Sequence, residues 1–194
     1  MIILDFETNS SAMHDVIEVA AFKVTKRDNM YRVTDTFHRY YFSKFEVNPH
    51  ALLVHKITPQ RVADFRDNAQ YAEYFENDRD FIDFCKDAET LVAHNIAFEL
   101  RHLGDLVSFE QHICTMRENK KIVNALNVKG NLKNPKLIET CAFYGIEFDD
   151  EQYHSAIYDV RKTLEILNCM TSDGFEHHGR TGVNVPKTAL QQLA

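Results

Sequence analysis

Residues 1–8 read MIILDFET, three aliphatic residues running into Asp5 and Glu7 on either side of Phe6. Side chains of a strand alternate between its two faces, so residues two apart share one. A strand over Ile2 to Glu7 therefore projects Asp5 and Glu7 together from its end and turns Phe6 into the core. At an effective dielectric of about 20, two unit charges ~4 Å apart repel by roughly 4 kcal/mol. A divalent cation with hard oxygen ligands offsets that repulsion. Taken alone, the octapeptide has a plainer reading, a strand that ends in acidic residues at the surface.

The residues that follow organise around this strand. Val16 to Thr25, VIEVAAFKVT, reads as a mostly apolar central strand, and Tyr31 to Phe42 as a third, antiparallel to it after the turn at Arg27-Asp28-Asn29. Asn48-Pro49 and Thr58-Pro59 each read as an N-cap followed by proline at the first helical position. Tyr71 to Lys86 has broadly helical apolar spacing, with an interruption near Asn77. Thr90 to Ala93 is a short buried strand, with Asn95 opening a helix over Ile96 to Leu106. His112 to Thr115 is a strand and Met116 to Asn124 a helix. Asn127 to Pro135 reads as a loop, Lys136 to Tyr144 as a helix closed by Gly145, and Ser155 to Met170 as the last strong helix. The expectation is an α/β domain over residues 1–170. Its mixed five-stranded sheet combines a three-strand antiparallel meander with parallel strands, flanked by helices. In 171–194 the apolar pattern weakens, and Gly174, Gly179, Gly182 and Pro186 suggest a loosely ordered tail.

Composition narrows the function classes. With 194 residues, 44% hydrophobic and 26% charged, the chain has the length and balance of one globular domain. No apolar run approaches the ~18 residues of a membrane span, and no signal peptide is read at the N-terminus. Cys85, Cys114, Cys141 and Cys169 form no CxxC pair. They read as reduced thiols of a cytoplasmic protein rather than as a disulfide framework or zinc site. The net charge of −7 argues against coating long duplexes by phosphate neutralisation, but not against gripping a few nucleotides through metals and local contacts.

Three segments then line up in order: Asp5-Phe6-Glu7-Thr8, His94-Asn95-Ile96-Ala97-Phe98-Glu99 and His154-Ser155-Ala156-Ile157-Tyr158-Asp159. This resembles the histidine subgroup of the DEDD 3′→5′ exonuclease superfamily, which includes the epsilon proofreading subunit of bacterial DNA polymerase and exonuclease X. The first and third motifs match DxET and HxAxxD in full. The second departs from HNxxFD at its last position, where Glu99 stands for Asp. The tyrosine subgroup is rejected, because its tyrosine position is Ser155. The usual Thr-Gly after the first motif is Asn9-Ser10, so the loop to Asp15 has its own shape. Alone, each residue has a bland reading: Asp159 paired with Arg161 or Lys162, His154 a loop histidine, Glu99 a partner of nearby Arg101 or His102.

The resemblance implies a ribonuclease H-like fold and two divalent ions, Mg²⁺ or Mn²⁺. Two such ions roughly 3.5–4 Å apart stabilise the attacking and leaving oxygens of an in-line phosphodiester hydrolysis. By the same resemblance Asp5, Glu7 and Asp159 hold the ion that activates water. Asp5 bridges to the second ion, Glu99 supports that ion, and His154 is the general base, its ordinary pKa near 6.5 suiting the task. Val54 and His55 match terminal-nucleotide contacts and Phe98 a base-stacking position, with core packing as the alternative for Phe98. Thr8 and Asn95 complete the candidate substrate contacts. The expected substrate is a single-stranded 3′ end, with DNA ahead of RNA because PHALLVHKIT (49–58) and ICTM (113–116) are nearest the DNA-directed members. An RNA-trimming enzyme is the alternative. A nucleic-acid-binding module that has lost catalysis through Glu99 is the rival from another class. A polymerase or a second copy of the chain is left open as partner, and no membrane is expected.

Overall fold

The computed structural model describes residues 1–171, so the expected tail lies almost wholly outside the described residues. Strand β1 (Ile2–Thr8) forms the middle of a five-stranded sheet of order β3-β2-β1-β4-β5. β2 (Val16–Arg27) pairs antiparallel with β1, and β3 (Met30–Tyr40) antiparallel with β2. On the other side β4 (Thr90–Ala93) runs parallel to β1, and β5 (Gln111–Cys114) parallel to β4. The expected meander-plus-parallel sheet is therefore the fold.

Alternation in β1 sorts its residues as the sequence implied. Ile2, Leu4 and Phe6 enter one core with Phe75, Phe81, Leu91 and Leu103. The Phe6 ring meets Phe75 edge-on at 5.2 Å, and burying each such side chain contributes about 1.5–3 kcal/mol. Ile3 faces the other way, where α7 (Ala156–Thr171) lays Ala156, Val160 and Leu164 against Ala20 and Val92. Asp5 and Glu7 share that second face beyond Ile3, at the carboxyl end of the strand. Cys85, Cys114 and Cys141 are buried thiols.

Both proline-led helices form as read. Asn48 Oδ1 accepts from the His50 N–H at 3.0 Å to start α1 (Pro49–His55). Thr58 Oγ1 accepts from the Arg61 N–H at 3.1 Å to start α2 (Pro59–Phe65). The stretch Tyr71 to Lys86 differs from expectation: only α3 (Arg79–Cys85) is α-helical, after a 3₁₀ turn at Phe75–Asn77. Tertiary bonds hold what precedes it. The Tyr71 hydroxyl donates to the Tyr40 carbonyl at 3.2 Å, and the Phe42 N–H donates to the Glu73 carbonyl at 3.0 Å. Asp78 then caps α3 and takes a bidentate ion pair from Arg39.

Helix α4 (Ile96–Leu103) is a turn shorter than expected and has no side-chain cap from Asn95. It stops at Gly104, whose φ of +57° ends the helix; a Cβ there would lie 2.6 Å from both Met13 Sδ and His14 Cε1. The loop after β1 is thus packed on the end of α4. Helices α5 (Thr115–Val123) and α6 (Leu137–Tyr144) follow β5. Between them, the expected loop contains a small hairpin with an antiparallel bridge between Leu126 and Leu132. No helix among the described residues is long and apolar enough to cross a membrane.

Candidate active site

The sheet switches from antiparallel to parallel neighbours at β1, and the acidic residues gather at its carboxyl end, where open α/β sheets build their clefts. Glu7, His154 and Asp159 each bring a ligand atom within 4.8 Å of the others. Asp159 is in the first turn of α7, where the positive end of the helix dipole favours a carboxylate. Its carboxylate also accepts a hydrogen bond from the His154 backbone N–H. His154 sits at φ +65°, a conformation that costs a side-chain-bearing residue energy and persists where surroundings enforce it. The bond to Asp159 is one such constraint, and the ring of Tyr153 stacked 3.7 Å from the His154 imidazole is another.

Glu99 enters from the first turn of α4 and is 2% exposed. Burial pushes its carboxyl up to about 8. Asp159 is likewise raised to about 8, by burial and then by the charge of Glu18. Asp5 is raised well above the usual carboxylate range by burial, then by Asp159, Glu99, Glu7 and Glu18 in turn. Glu7 is raised by burial, then by Asp159 and Glu18. The four sequence-predicted carboxylates are therefore mutually close enough to oppose each other's ionisation. Glu99 Oε2 and Asp159 Oδ1 are buried without a hydrogen-bond partner, an arrangement that costs free energy unless something binds them. An all-oxygen, multiply anionic set with orphaned atoms fits a hard divalent cation such as Mg²⁺ or Mn²⁺.

Glu18 adjoins the candidate site, and the reading of the sequence passed over it. It lies directly across the β1–β2 ladder from Glu7 and is 1% exposed. His38 Nε2 lies 2.8 Å from its carboxylate, and the Ala156 N–H at the start of α7 donates to it at 3.2 Å. The signal was present: a lone acid inside the apolar run VIEVAAF is a buried charge that needs partners.

The remaining candidates divide. His55, next to exposed Val54, is buried; its Nδ1 accepts from the Ile57 N–H at 2.9 Å, so Nε2 carries the proton. That Nε2 is buried and unpartnered, and a cavity of about 290 Å³ lined by His55, Arg61 and His154 adjoins it. Burial lowers the pKa of His55, and His154 lowers it further. Phe98 is half-buried, packed on the core cluster with its ring 4.7 Å from His102, so its inner face serves packing. Thr8 is half-buried and Asn95 exposed. His94, by contrast, is a strut. Its Nδ1 meets Thr115 Oγ1 at 3.0 Å and its Nε2 meets the Pro135 carbonyl at 3.2 Å, and burial lowers its pKa to about 4.

Asn9, where the resemblance expects threonine, anchors the candidate nucleotide-contacting helix to β1. Its amide donates to Ser43 Oγ at 2.9 Å and to the Glu46 carbonyl at 3.0 Å, and its Oδ1 accepts from the Asn48 N–H at 2.9 Å.

The model of the RNase_T exonuclease family matches residues 2–167. The chain belongs to this exonuclease family. It is a 3′→5′ exonuclease of the DEDD superfamily, with the ribonuclease H-like fold the motifs implied. No curated protein matches it in sequence. Among solved structures it is similar to exonuclease X in complex with 5′-overhanging duplex DNA, with TM-score 0.58 and 21% identity over 90% of this chain and 93% of that one. It is also similar to the zinc-bound complex of E. coli exonuclease I with single-stranded DNA, with TM-score 0.64 and 15% identity over 89% of this chain. The product-bound exonuclease I structure gives TM-score 0.61 and 14% identity over 87%. The chain spans 40% and 42% of those two exonuclease I chains. At these identities the likenesses establish the fold of the enzyme.

Proposed function

We propose that the enzyme removes nucleotides from the 3′ ends of single-stranded DNA and releases nucleoside 5′-monophosphates. One observation carries this reading: Asp5, Glu7, Glu99 and Asp159 converge from β1, α4 and α7 on one buried acidic centre beside His154. Two bound divalent ions would supply charge stabilisation of the attacking and leaving oxygens and an activated water. Asp5, Glu7 and Asp159 would hold one ion, and Glu99 would support the other. His154 takes the proton from the attacking water. Burial and the charges of Lys136 and Lys56 lower its pKa, so the imidazole is neutral and ready to accept at neutral pH. The His55 Nε2–H faces the terminal nucleotide as a donor, while Val54, Phe98, Thr8 and Asn95 line its path. The DNA complexes of the structural relatives support DNA over RNA.

A time course on matched 5′-labelled single-stranded DNA and RNA tests this, run with Mg²⁺, Mn²⁺ or chelator beside Asp159→Ala. The expected result is a metal-dependent ladder shortening from the 3′ end, faster on DNA and absent in the variant. A faster RNA ladder would transfer the proposal to an RNA-trimming enzyme. No product with either metal would sink it and leave the binding-module reading.

Glu99 differs from the usual aspartate by one methylene, about 1.5 Å of reach. Its Oε2 is buried without a hydrogen-bond partner, so the position is open to a ligand role for either acid. Glu99→Asp is expected to keep or raise kcat with Mn²⁺. A folded Glu99→Asp protein losing more than tenfold would show that the centre is built around the longer side chain.

A further inference from the structure

The acidic centre repels the phosphates it must admit, and the chain as a whole carries −7. Against that background one stretch is reversed in sign. Between residues 117 and 136 stand Arg117, Lys120, Lys121, Lys129, Lys133 and Lys136, with Glu118 the sole acid. Lys133 pairs with Glu139, whereas among the described residues the others have no ion-pair partner. The stretch is α5 followed by the hairpin of residues 125–133. That hairpin is a built element. Asn127 and Asn131 are joined by a backbone bond of 2.8 Å, Lys133 donates to the Ala125 carbonyl at 2.9 Å, and Asn127 Oδ1 accepts from the N–H groups of Lys129 and Asn131. Its root is held by His94 through the Pro135 carbonyl and lies near the active centre, since the charge of Lys136 is felt by His154. Its tip stands clear of the domain, with Val128 fully exposed and Leu126 54% exposed.

We infer that α5 and this hairpin form a guide for the nucleic-acid strand 5′ to the scissile phosphate. Arg117, Lys120, Lys121 and Lys129 meet successive phosphates, and Leu126 and Val128 offer apolar surface to unstacked bases. The inference deepens the proposed function and rests on it for the direction of the strand. From the Ala125–Lys133 root to the tip at Lys129 the hairpin reaches about 13 Å at ~3.3 Å per residue. A single-strand guide of that size engages several nucleotides. Unpaired cations at the edge of an acidic protein also set where the strand docks, since phosphate neutralisation dominates nucleic-acid affinity.

The test measures binding of a 5′-labelled 20-nucleotide single-stranded DNA in chelator over a salt series, together with kcat/KM for that oligonucleotide relative to a dinucleotide. The variant is Lys120→Gln/Lys121→Gln/Lys129→Gln. Lys26→Gln/Arg27→Gln/Arg32→Gln, at the far end of β2 and β3, makes the same change in net charge. For a single strand the slope of log K against log salt falls by about 0.7 per phosphate contact, so the guide variant loses about 2 from its slope. Its preference for the long substrate over the dinucleotide falls at least tenfold, and the far-end variant changes much less. Equal losses in both variants, unchanged slopes, or a wild type that does not bind the oligonucleotide would each overturn the inference. A wild type that binds through these lysines but cleaves neither substrate would remove the proposed function and leave the guide standing. Retained DNA binding with lost affinity for an acidic protein would assign the surface to that partner and overturn the guide.

Discussion

Asp5→Asn is expected to abolish hydrolysis and, in the absence of metal, to raise the melting temperature. Asp5 faces Asp159, Glu99, Glu7 and Glu18, and every one of these charges opposes its ionisation. A pair of unit charges ~4 Å apart costs roughly 4 kcal/mol at an effective dielectric of 20, and asparagine of the same shape removes one member from several such pairs. A gain of even 1 kcal/mol corresponds to roughly 2–4 °C in a domain of this size. The activity moves the other way. Loss of one preorganised electrostatic group costs about 10²–10³ in kcat, and Asp5 stands among all the carboxylates that would hold the proposed ions, so a loss of at least ~10³ is expected. Melting curves in chelator at pH 8, beside turnover of labelled DNA, read both effects. A lower melting temperature, or activity within tenfold of the wild type, would show that Asp5 is an ordinary structural acid.

The stability of the metal-free enzyme is expected to fall as pH rises from 6.5 to 8, and divalent cation is expected to cancel that fall. Glu99 and Asp159 titrate near 8 in the folded protein, against ordinary carboxylates in the unfolded chain. Between those values the folded state binds more protons than the unfolded state, so stability declines with pH, by about 1.4 kcal/mol per pH unit for each fully retained proton. His55, His94 and His154 act oppositely. Their folded pKa values are lowered, so their contribution is gained as pH rises towards 6.5 and is complete above it. The window from 6.5 to 8 therefore isolates the carboxylates. Mg²⁺ or Mn²⁺ binds the deprotonated set, so the metal-induced rise in melting temperature grows with pH; at 100 times the dissociation constant it is worth about 2.7 kcal/mol. A melting temperature that climbs from pH 6.5 to 8 in chelator, or one unmoved by metal at pH 8, would mean that these acids do not form a cation site.

Local chemistry made much of this legible in advance. Asn48 and Thr58 cap helices because their side chains reach N–H groups two or three residues on, and Gly145 ends α6 in the left-handed region. MIILDFET alternates between two cores because a strand has period two. The helical stretch expected over Tyr71 to Lys86 does break near Asn77, as read, but only Arg79–Cys85 is α-helical, because Tyr71, Glu73 and Asp78 turn their polar groups to β3 and the chain after it. Those partners lie some 30 residues away, and local spacing carries no trace of them. The hairpin inside 125–133 depends on Asn127 folding back on Lys129 and Asn131, a turn that apolar periodicity does not register.

By itself the sequence determined the sheet's composition, the order of its elements and three acidic motifs in the order of the DEDD exonucleases. Those properties rest on strand alternation, capping and residue identity, all short-range. The tertiary structure alone decided that Asp5, Glu7, Glu99 and Asp159 share one desolvated centre, that Glu18 backs it from β2, and that the His55 Nε2–H is left without a partner. Repulsion, burial and unsatisfied hydrogen bonds are properties of distance in space. They came into being only when β1, β2, α1, α4 and α7 were brought together at one end of the sheet.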